Sequence, residues 1–132
     1  MRVFVDTSAF LAMLVETDHN HSTATRIWSD IVRKNYNLFS TNYVILETIA
    51  LIQRRLGMDV LRVFCDDVLP FLTTIWVDDV IHKAGIAAVL SANQRQLSLV
   101  DCTSFAAMRK RGLDTMFVFD RHFEEQGFDR LG

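Results

Sequence analysis

The feature that most constrains this chain is a regular alternation of short apolar, β-prone runs with longer stretches of helical periodicity. Arg2 to Val5 reads as a buried strand and Thr7 to Val15 as a helix. His21 to Lys34 is helical, with Ala24, Ile27, Trp28, Ile31 and Val32 on one face. Leu38 to Ser40 is a short strand. Asn42 to Leu56 is a strongly apolar helix with Gly57 at its C-terminal cap. Met58 to Leu69 is a further helix, stopped near Pro70. Thr73 to Val77 is a strand, and Val80 to Ala92 a helix capped by Asp78 or Asp79. Asp101 to Lys110 is a helix ending at Gly112, and Thr115 to Phe119 is the last clear strand. Strands separated by helices predict an α/β fold, with a mostly parallel central sheet flanked by helices. In such sheets ligands collect beyond the carboxyl ends of the strands.

Composition sets the bounds. At 132 residues the chain is expected to form one domain, and it can bury roughly two thirds of its unfolded surface without disulfides or metals. One proline and five glycines leave no stretch that reads as a linker or repeat. Two cysteines, Cys65 and Cys102, lack zinc spacing and point to a reducing compartment. Asp6 interrupts the apolar start too early for a signal peptide, and no run approaches a membrane span, so the expected location is the cytoplasm. A formal net charge of −2 gives no global attraction for nucleic acid, so any such site must be a local patch.

Four acidic residues stand out. Asp6 follows the first strand and Asp120 the last clear one. If those strands are neighbours, both carboxylates lie at one edge of the sheet. Each also reads as a helix cap, Asp120 for a turn at Arg121 to Glu125. Glu47 sits in a helix among Tyr43, Val44, Ala50 and Leu51, where an unpaired carboxylate is costly to bury. Val44, three residues before it, excludes a capping box, leaving an ion pair or an exposed seam as the structural alternatives. Asp101 reads as an N-cap in polar surroundings, with Ser98, Thr103 and Ser104 nearby. Cys102 beside it reads as a buried thiol, because no histidine is close enough in sequence to activate it. Two carboxylates about 5 Å apart repel by roughly 3 kcal/mol at an effective dielectric near 20. Convergence of all four therefore requires protonation or a cation. Oxygen donors without Cys or His select a hard ion, Mg²⁺ or Mn²⁺, suited to phosphodiester chemistry.

These residues fall in recognisable settings. They are Val3-Phe4-Val5-Asp6-Thr7-Ser8-Ala9, Asn42-Tyr43-Val44-Ile45-Leu46-Glu47-Thr48, Leu97-Ser98-Leu99-Val100-Asp101-Cys102-Thr103-Ser104-Phe105, and Phe119-Asp120-Arg121-His122-Phe123-Glu124-Glu125-Gln126-Gly127-Phe128. In order and length the chain resembles the PIN-domain ribonucleases, and more narrowly the toxin subunits of VapBC-type toxin–antitoxin pairs. The resemblance spans nearly all of residues 1–132 and implies a single PIN domain. It implies that Asp6, Glu47, Asp101 and Asp120 form the catalytic metal site, with Thr7 or Ser8 as an auxiliary polar residue. It further implies an RNA substrate such as transfer or ribosomal RNA, a homodimer, and inhibition by a small antitoxin.

Other features have plainer readings beside functional ones. Arg54, Arg55, Arg109, Lys110, Arg111, Arg121 and Arg130 are candidates for a phosphate-contacting rim, or are solvated helix ends. His122, beside Asp120, is a candidate RNA contact or a surface residue. Leu11, Leu14, Ile49, Ile52, Leu56 and Leu61 are candidates for an antitoxin groove, or are core. Asp78-Asp79 reads as a cap followed by a first-turn acid. Aspartyl-phosphate chemistry is disfavoured, since Ser8 stands where a phosphatase carries its second Asp. A DNA nuclease and a non-catalytic RNA-binding module remain the rival readings.

Overall fold

Val3, Phe4 and Val5 are each fully buried, as a strand at the middle of a sheet covered on both faces must be. They form β1 (Arg2–Val5). The computed structural model describes all residues from Met1 to Gly132, in the order β1, α1 (Thr7–Leu14), α2 (His21–Lys34), β2 (Asn37–Thr41), α3 (Asn42–Arg55), α4 (Met58–Val63), β3 (Leu72–Ile75), α5 (Asp79–Ala92), α6 (Leu99–Arg111), β4 (Thr115–Phe117), α7 (His122–Glu125) and β5 (Asp129–Arg130). The five strands make one sheet in the order β3-β2-β1-β4-β5. Every pairing is parallel. From β1 the chain builds outward through β2 and β3, then crosses back to lay β4 and β5 on the other side. The strand order therefore reverses between β1 and β4. That crevice is where an open α/β sheet holds its ligand.

The packing follows from the apolar pattern. Phe10 of α1 meets Phe64 edge-on, and Phe105 of α6 meets Phe123 of α7 in the same way. The α5 and α6 helices close on each other at Gly85, where a Cβ would lie 2.5 Å from the Thr103 methyl group. A larger residue there would force the two helices apart, and α6 carries Asp101.

Several expected boundaries are corrected. Val32 is half exposed, because Ala24, Ile27 and Ile31 already form the buried stripe and Val32 lies about 100° round the helix from Ile31. The helix expected from Met58 to Leu69 ends at Val63. It continues as a wider π turn at Phe64–Val68 and a tight turn at Leu69–Phe71 ahead of β3. The third strand stops at Ile75, because the Val77 N–H leaves the ladder to donate to Asn42 Oδ1 at 2.6 Å. The fourth stops at Phe117, because the Phe119 N–H donates to the Ser8 hydroxyl at 3.0 Å instead of to a neighbouring strand. Asp120 thus stands beyond a short loop, not directly after the strand. The two-residue β5 carries too little pattern to be read from sequence. Helix α6 begins at Leu99, and its cap is Ser98, not Asp101.

Candidate functional site

Asp6 ends β1 with extended backbone and caps α1, its Oδ2 accepting from the Ser8 N–H at 3.0 Å and the Ser8 hydroxyl at 2.7 Å. The Ser8 oxygen in turn accepts from the Phe119 N–H, so one small side chain ties Asp6 to the loop that carries Asp120. The Asp6 N–H donates to the Phe117 carbonyl at 3.1 Å and fixes the two strand ends side by side. Asp101 occupies the third position of α6, and its Oδ2 accepts from the Ser98 N–H at 3.2 Å while Ser98 Oγ accepts from the Asp101 N–H. This reciprocal box is what pairs Ser98 with Asp101. Asp120 Oδ1 accepts from the His122 N–H at 3.0 Å and so starts the turn of α7.

Asp6 caps α1, Asp101 closes the box at the Ser98 cap of α6, and Asp120 braces the turn ahead of α7. Each carboxylate is held by one oxygen in a local backbone hydrogen bond. The second oxygen (Oδ1 of Asp6, Oδ1 of Asp101, Oδ2 of Asp120) takes no hydrogen bond from the protein. A cap aims the group, and the free oxygen is what remains to bind something else.

Electrostatics link the four acids. Burial drives the Asp6 carboxyl up from 3.8 to about 6; the two Ser8 hydrogen bonds oppose the rise, and the charges of Asp101 and Glu47 add to it. Burial also raises Glu47, against the pull of the Thr7 hydroxyl, and Asp101 adds repulsion. Asp101 is itself raised, first by burial, with Asp120 repelling it; the Ser98 hydrogen bonds and His122 act the other way. Asp101 is therefore near enough to couple by charge to Asp6, Glu47 and Asp120. Glu47 reaches this group from the first half of α3, half-buried beside Tyr43, Leu46, Ala50, His82 and Val100. It has no basic partner, so the ion-pair alternative is removed.

The acids rest on buried hydroxyls. Thr7 and Thr48 share a hydrogen bond of 3.0 Å, Thr48 donates to the Val44 carbonyl at 2.7 Å, and Ser40 donates to the Val5 carbonyl at 2.9 Å. Ser40 and Thr48 are fully buried and were not singled out from the sequence. The signal available was a threonine next to Glu47 in an otherwise apolar helix.

A hard divalent cation fits this donor set in kind, since the free groups are carboxylate oxygens with no sulfur among them. No three His, Cys, Asp or Glu side chains stand at direct ligand distance around one point. The four carboxylates are coupled by charge without forming a closed ligand shell, which is compatible with an ion that keeps several waters, as Mg²⁺ does.

The remaining candidates divide. Arg121 lies exposed beside Asp120, with no carboxylate partner. The His122 ring stands 4.0 Å from Asp120 and 3.7 Å from Glu125, with Nδ1 lacking a hydrogen bond. Arg54 and Arg55 sit in the last turn of α3, about two turns beyond Glu47. Arg109 is committed to Gln126 and the Phe128 ring, Lys110 to Asp78 and Arg130 to Glu124, so these three leave the rim. Arg111 ends α6, away from Asp101. Ile52 is fully buried and leaves the proposed groove. Leu11 and Leu56 line a hollow of about 190 Å³ with Val15, Asp18 and Arg55. Cys102 is buried and its thiol pushed up, as expected of a packing residue.

With the geometry in hand, comparison with known proteins is specific. The PIN domain model matches residues 3–129. A 23S rRNA-specific endonuclease of Mycobacterium tuberculosis, VapC20, is 32% identical over 129 residues, covering 96% of this chain and 95% of its own length. The crystal structure of VapC20, described as a sarcin-ricin loop cleaving toxin, superposes with a TM-score of 0.84 at 31% identity, over 96% of this chain and 95% of that one. VapBC2 from Rickettsia felis, bound to a promoter DNA fragment, gives a TM-score of 0.70 at 10% identity over 99% and 98% of the chains. FitAcB from Neisseria gonorrhoeae gives 0.72 at 11% identity over 100% and 97%. At such identities these last two bear on fold alone. No helix is long and apolar enough to cross a membrane.

Proposed function

The chain belongs to the PIN domain family, and from that premise we propose that it is an endoribonuclease dependent on Mg²⁺ or Mn²⁺, the toxin of a toxin–antitoxin pair. Residues 1–132 form one such domain. The observation that carries the reading is Asp101, which couples by charge to three other carboxylates while each aspartate keeps one oxygen without a hydrogen bond.

Asp6, Asp101 and Asp120 would hold the ion, directly or through its waters, and Glu47 would join them or position the attacking water. When bound, the cation supplies positive charge that neutralises the phosphodiester and lowers the pKa of a nearby water. The protein's part is orientation. Ser8 holds Asp6 and the Asp120 loop in register, and Thr7 steadies Glu47. Burial raises the Glu47 carboxyl, which makes it a stronger proton acceptor than an ordinary carboxylate. Arg121, His122, Arg54 and Arg55 contact the RNA.

The substrate is a structured cellular RNA, ribosomal RNA being favoured by the relative's activity on 23S rRNA. The antitoxin sets a cationic side chain against the acidic group and lays apolar residues into the Leu11–Leu56 hollow. Leu46, Trp76 and Val80, each at least 68% exposed, offer an apolar face for pairing two copies. An RNA target places the protein in the cytoplasm.

The test is incubation with a stem-loop RNA containing the sarcin-ricin loop, followed by end-group analysis. The expected products carry 5′-phosphate and 3′-hydroxyl ends, and cleavage stops with EDTA and in Asp101→Ala. Cyclic 2′,3′-phosphate ends, or cleavage surviving both controls, would contradict the proposal.

A further inference from the structure

Leu46 of α3 stands between two surface hollows. One, of about 410 Å³, is lined chiefly by Ile45, Ile49, Leu69 and Trp76 and contains no acid. It belongs to the apolar face available for pairing two copies. The other, of about 260 Å³, is lined by Tyr43, Leu46, Glu47, Ala50, His82 and Val100. Of the two, only the second adjoins the acidic group. Glu47 is part of its wall, and Val100 is the residue before Asp101 on α6.

This second hollow contains an aromatic corner. Tyr43 lies one turn before Glu47 on α3 and reaches across to α5, its hydroxyl 2.6 Å from His82 Nδ1. The two rings stand 5.8 Å apart at 80°. Their hydrogen bond fixes both rings and leaves His82 Nε2 without a protein partner, open to solvent. With the tyrosine hydroxyl donating to Nδ1, Nε2 carries the ring proton and presents a donor. Leu46, Ala50 and Val100 make the rest of the wall apolar, and no Lys or Arg lines it.

The chemistry of the wall narrows what it can take. With no cation and with Glu47 at its edge, it repels a phosphate. A corner of two rings already fixed in place costs little to order and offers a flat face and one polar ring edge. An unstacked nucleobase matches this, being uncharged and flat with a hydrogen-bonding edge. A strand with its reacting phosphate at the acidic group has a base within one nucleotide of Glu47.

We propose that this hollow holds the base of a nucleotide next to the bond to be cut, packed against the Tyr43–His82 corner. Seating the base there draws its phosphate toward Glu47 and Asp101, so Tyr43 and His82 are substrate-positioning residues. This rests on the RNA-cleaving reading above and adds a nucleobase site to it.

The test crosses changes in the protein with changes in the RNA. A fluorescein-labelled sarcin-ricin stem-loop RNA and versions made abasic at each loop nucleotide in turn are titrated by anisotropy with the cleavage-inactive Asp101→Ala protein. Removing one base beside the cut bond should weaken binding about tenfold, and adding Tyr43→Ala should weaken binding of the intact RNA by a similar, about tenfold, amount. The two losses should not multiply: on the RNA lacking that base, Tyr43→Ala should bind within about twofold of its parent. Ala50→Leu, which fills the hollow from an exposed position without removing a contact, should show the same pattern. In the cleavage-competent protein, Tyr43→Ala and Ala50→Leu should raise KM on intact RNA more than they lower kcat. Losses that multiply on every RNA, or affinity indifferent to both Tyr43→Ala and Ala50→Leu, would overturn the assignment while leaving RNA cleavage by the parent intact. Multiplying losses joined to a change in the number of copies, read by light scattering, would give the hollow to the pairing of two copies instead. A parent that neither binds nor cleaves this RNA would overturn both the nucleobase site and the reading it rests on.

Discussion

The β1–α1 and β3–α5 junctions are built from the same local parts. Each is a strand, then an aspartate in extended backbone, then a helix whose backbone N–H the carboxylate caps. Asp6 accepts from Ser8 and Asp78 from Ile81. Their surroundings differ. Asp6 is 6% exposed between two central strands, with Glu47 and Asp101 facing it, and its carboxyl rises to about 6. Asp78 follows an edge strand in water; the Ile81 hydrogen bond, helped by Lys110, holds its carboxyl below the usual value. Asp79 beside it pairs with Lys83 at 3.0 Å. Local motif therefore sets where a carboxylate points, and position in the sheet decides whether it is neutralised by the protein or left for something else to neutralise.

The largest expected contrast is in activity. Asp101→Ala, which removes the carboxylate coupled by charge to the other three, should lower kcat/KM for RNA by at least about 10³-fold, while Asp78→Ala should stay within about twofold. Equal losses would erase the distinction between the junctions. Next comes the response to Mg²⁺ or Mn²⁺. At a hundredfold excess over Kd, the ion should stabilise the parent and Asp78→Ala by about 2.7 kcal/mol, and Asp6→Asn and Asp101→Ala by little. Thermal melts with and without EDTA measure this directly.

Stability without the ion should separate the two caps by sign. The gap between 3.8 and about 6 at Asp6 corresponds to about 3 kcal/mol of ionisation penalty in the folded state at neutral pH. Asp6→Asn should therefore raise stability by about 1–3 kcal/mol at pH 7, less whatever the Ser8 hydrogen bonds lose. Asp78→Ala should lower it, because a cap is removed with no penalty relieved. Acidification sharpens the same contrast. The Asp6 penalty is present above pH 6 and is relieved as pH falls from about 6 towards 3.8, so stability gains. The Asp78 contribution is present above its unfolded value and is lost as pH falls through its lowered folded value. Urea melts between pH 4 and 7 in EDTA should show a larger gain in the parent than in Asp6→Asn, where only the raised Glu47 and Asp101 carboxyls remain. The smallest effect belongs to Arg54→Gln and Arg55→Gln. With no tight turn to fix them near the acids, each should change RNA affinity by less than about threefold, as a mobile surface charge does.

The sequence carried most of this fold because its elements announce themselves. The Ala24–Ile27–Ile31 stripe and the Arg33-Lys34 end mark α2 to the residue, and Val3-Phe4-Val5 marks the central strand. What it did not carry lies where tertiary hydrogen bonds override local pattern. Ser8 claims the Phe119 N–H and shortens β4, Asn42 claims Val77 and shortens β3, and the π turn at Phe64–Val68 interrupts a helical period. The four acids were legible as a set, though cap and site stood as rival readings for each aspartate. The hydrogen bonds make them one device. Ser98 was legible as polar surroundings of Asp101 though not as its capping partner, and Ser40 and Thr48 were not legible as parts of the site, since single hydroxyls carry no periodicity.

The central claim is that Asp6 is held ready for a cation and Asp78 is not. Carboxyl-carbon NMR titration of the two residues, in EDTA and then in saturating Mg²⁺, tests it most directly. The account predicts an Asp6 midpoint near 6 that drops sharply with Mg²⁺, and an Asp78 midpoint below the usual carboxylate value that does not move. An Asp6 midpoint near 3.8 in EDTA, or one indifferent to Mg²⁺, would contradict it.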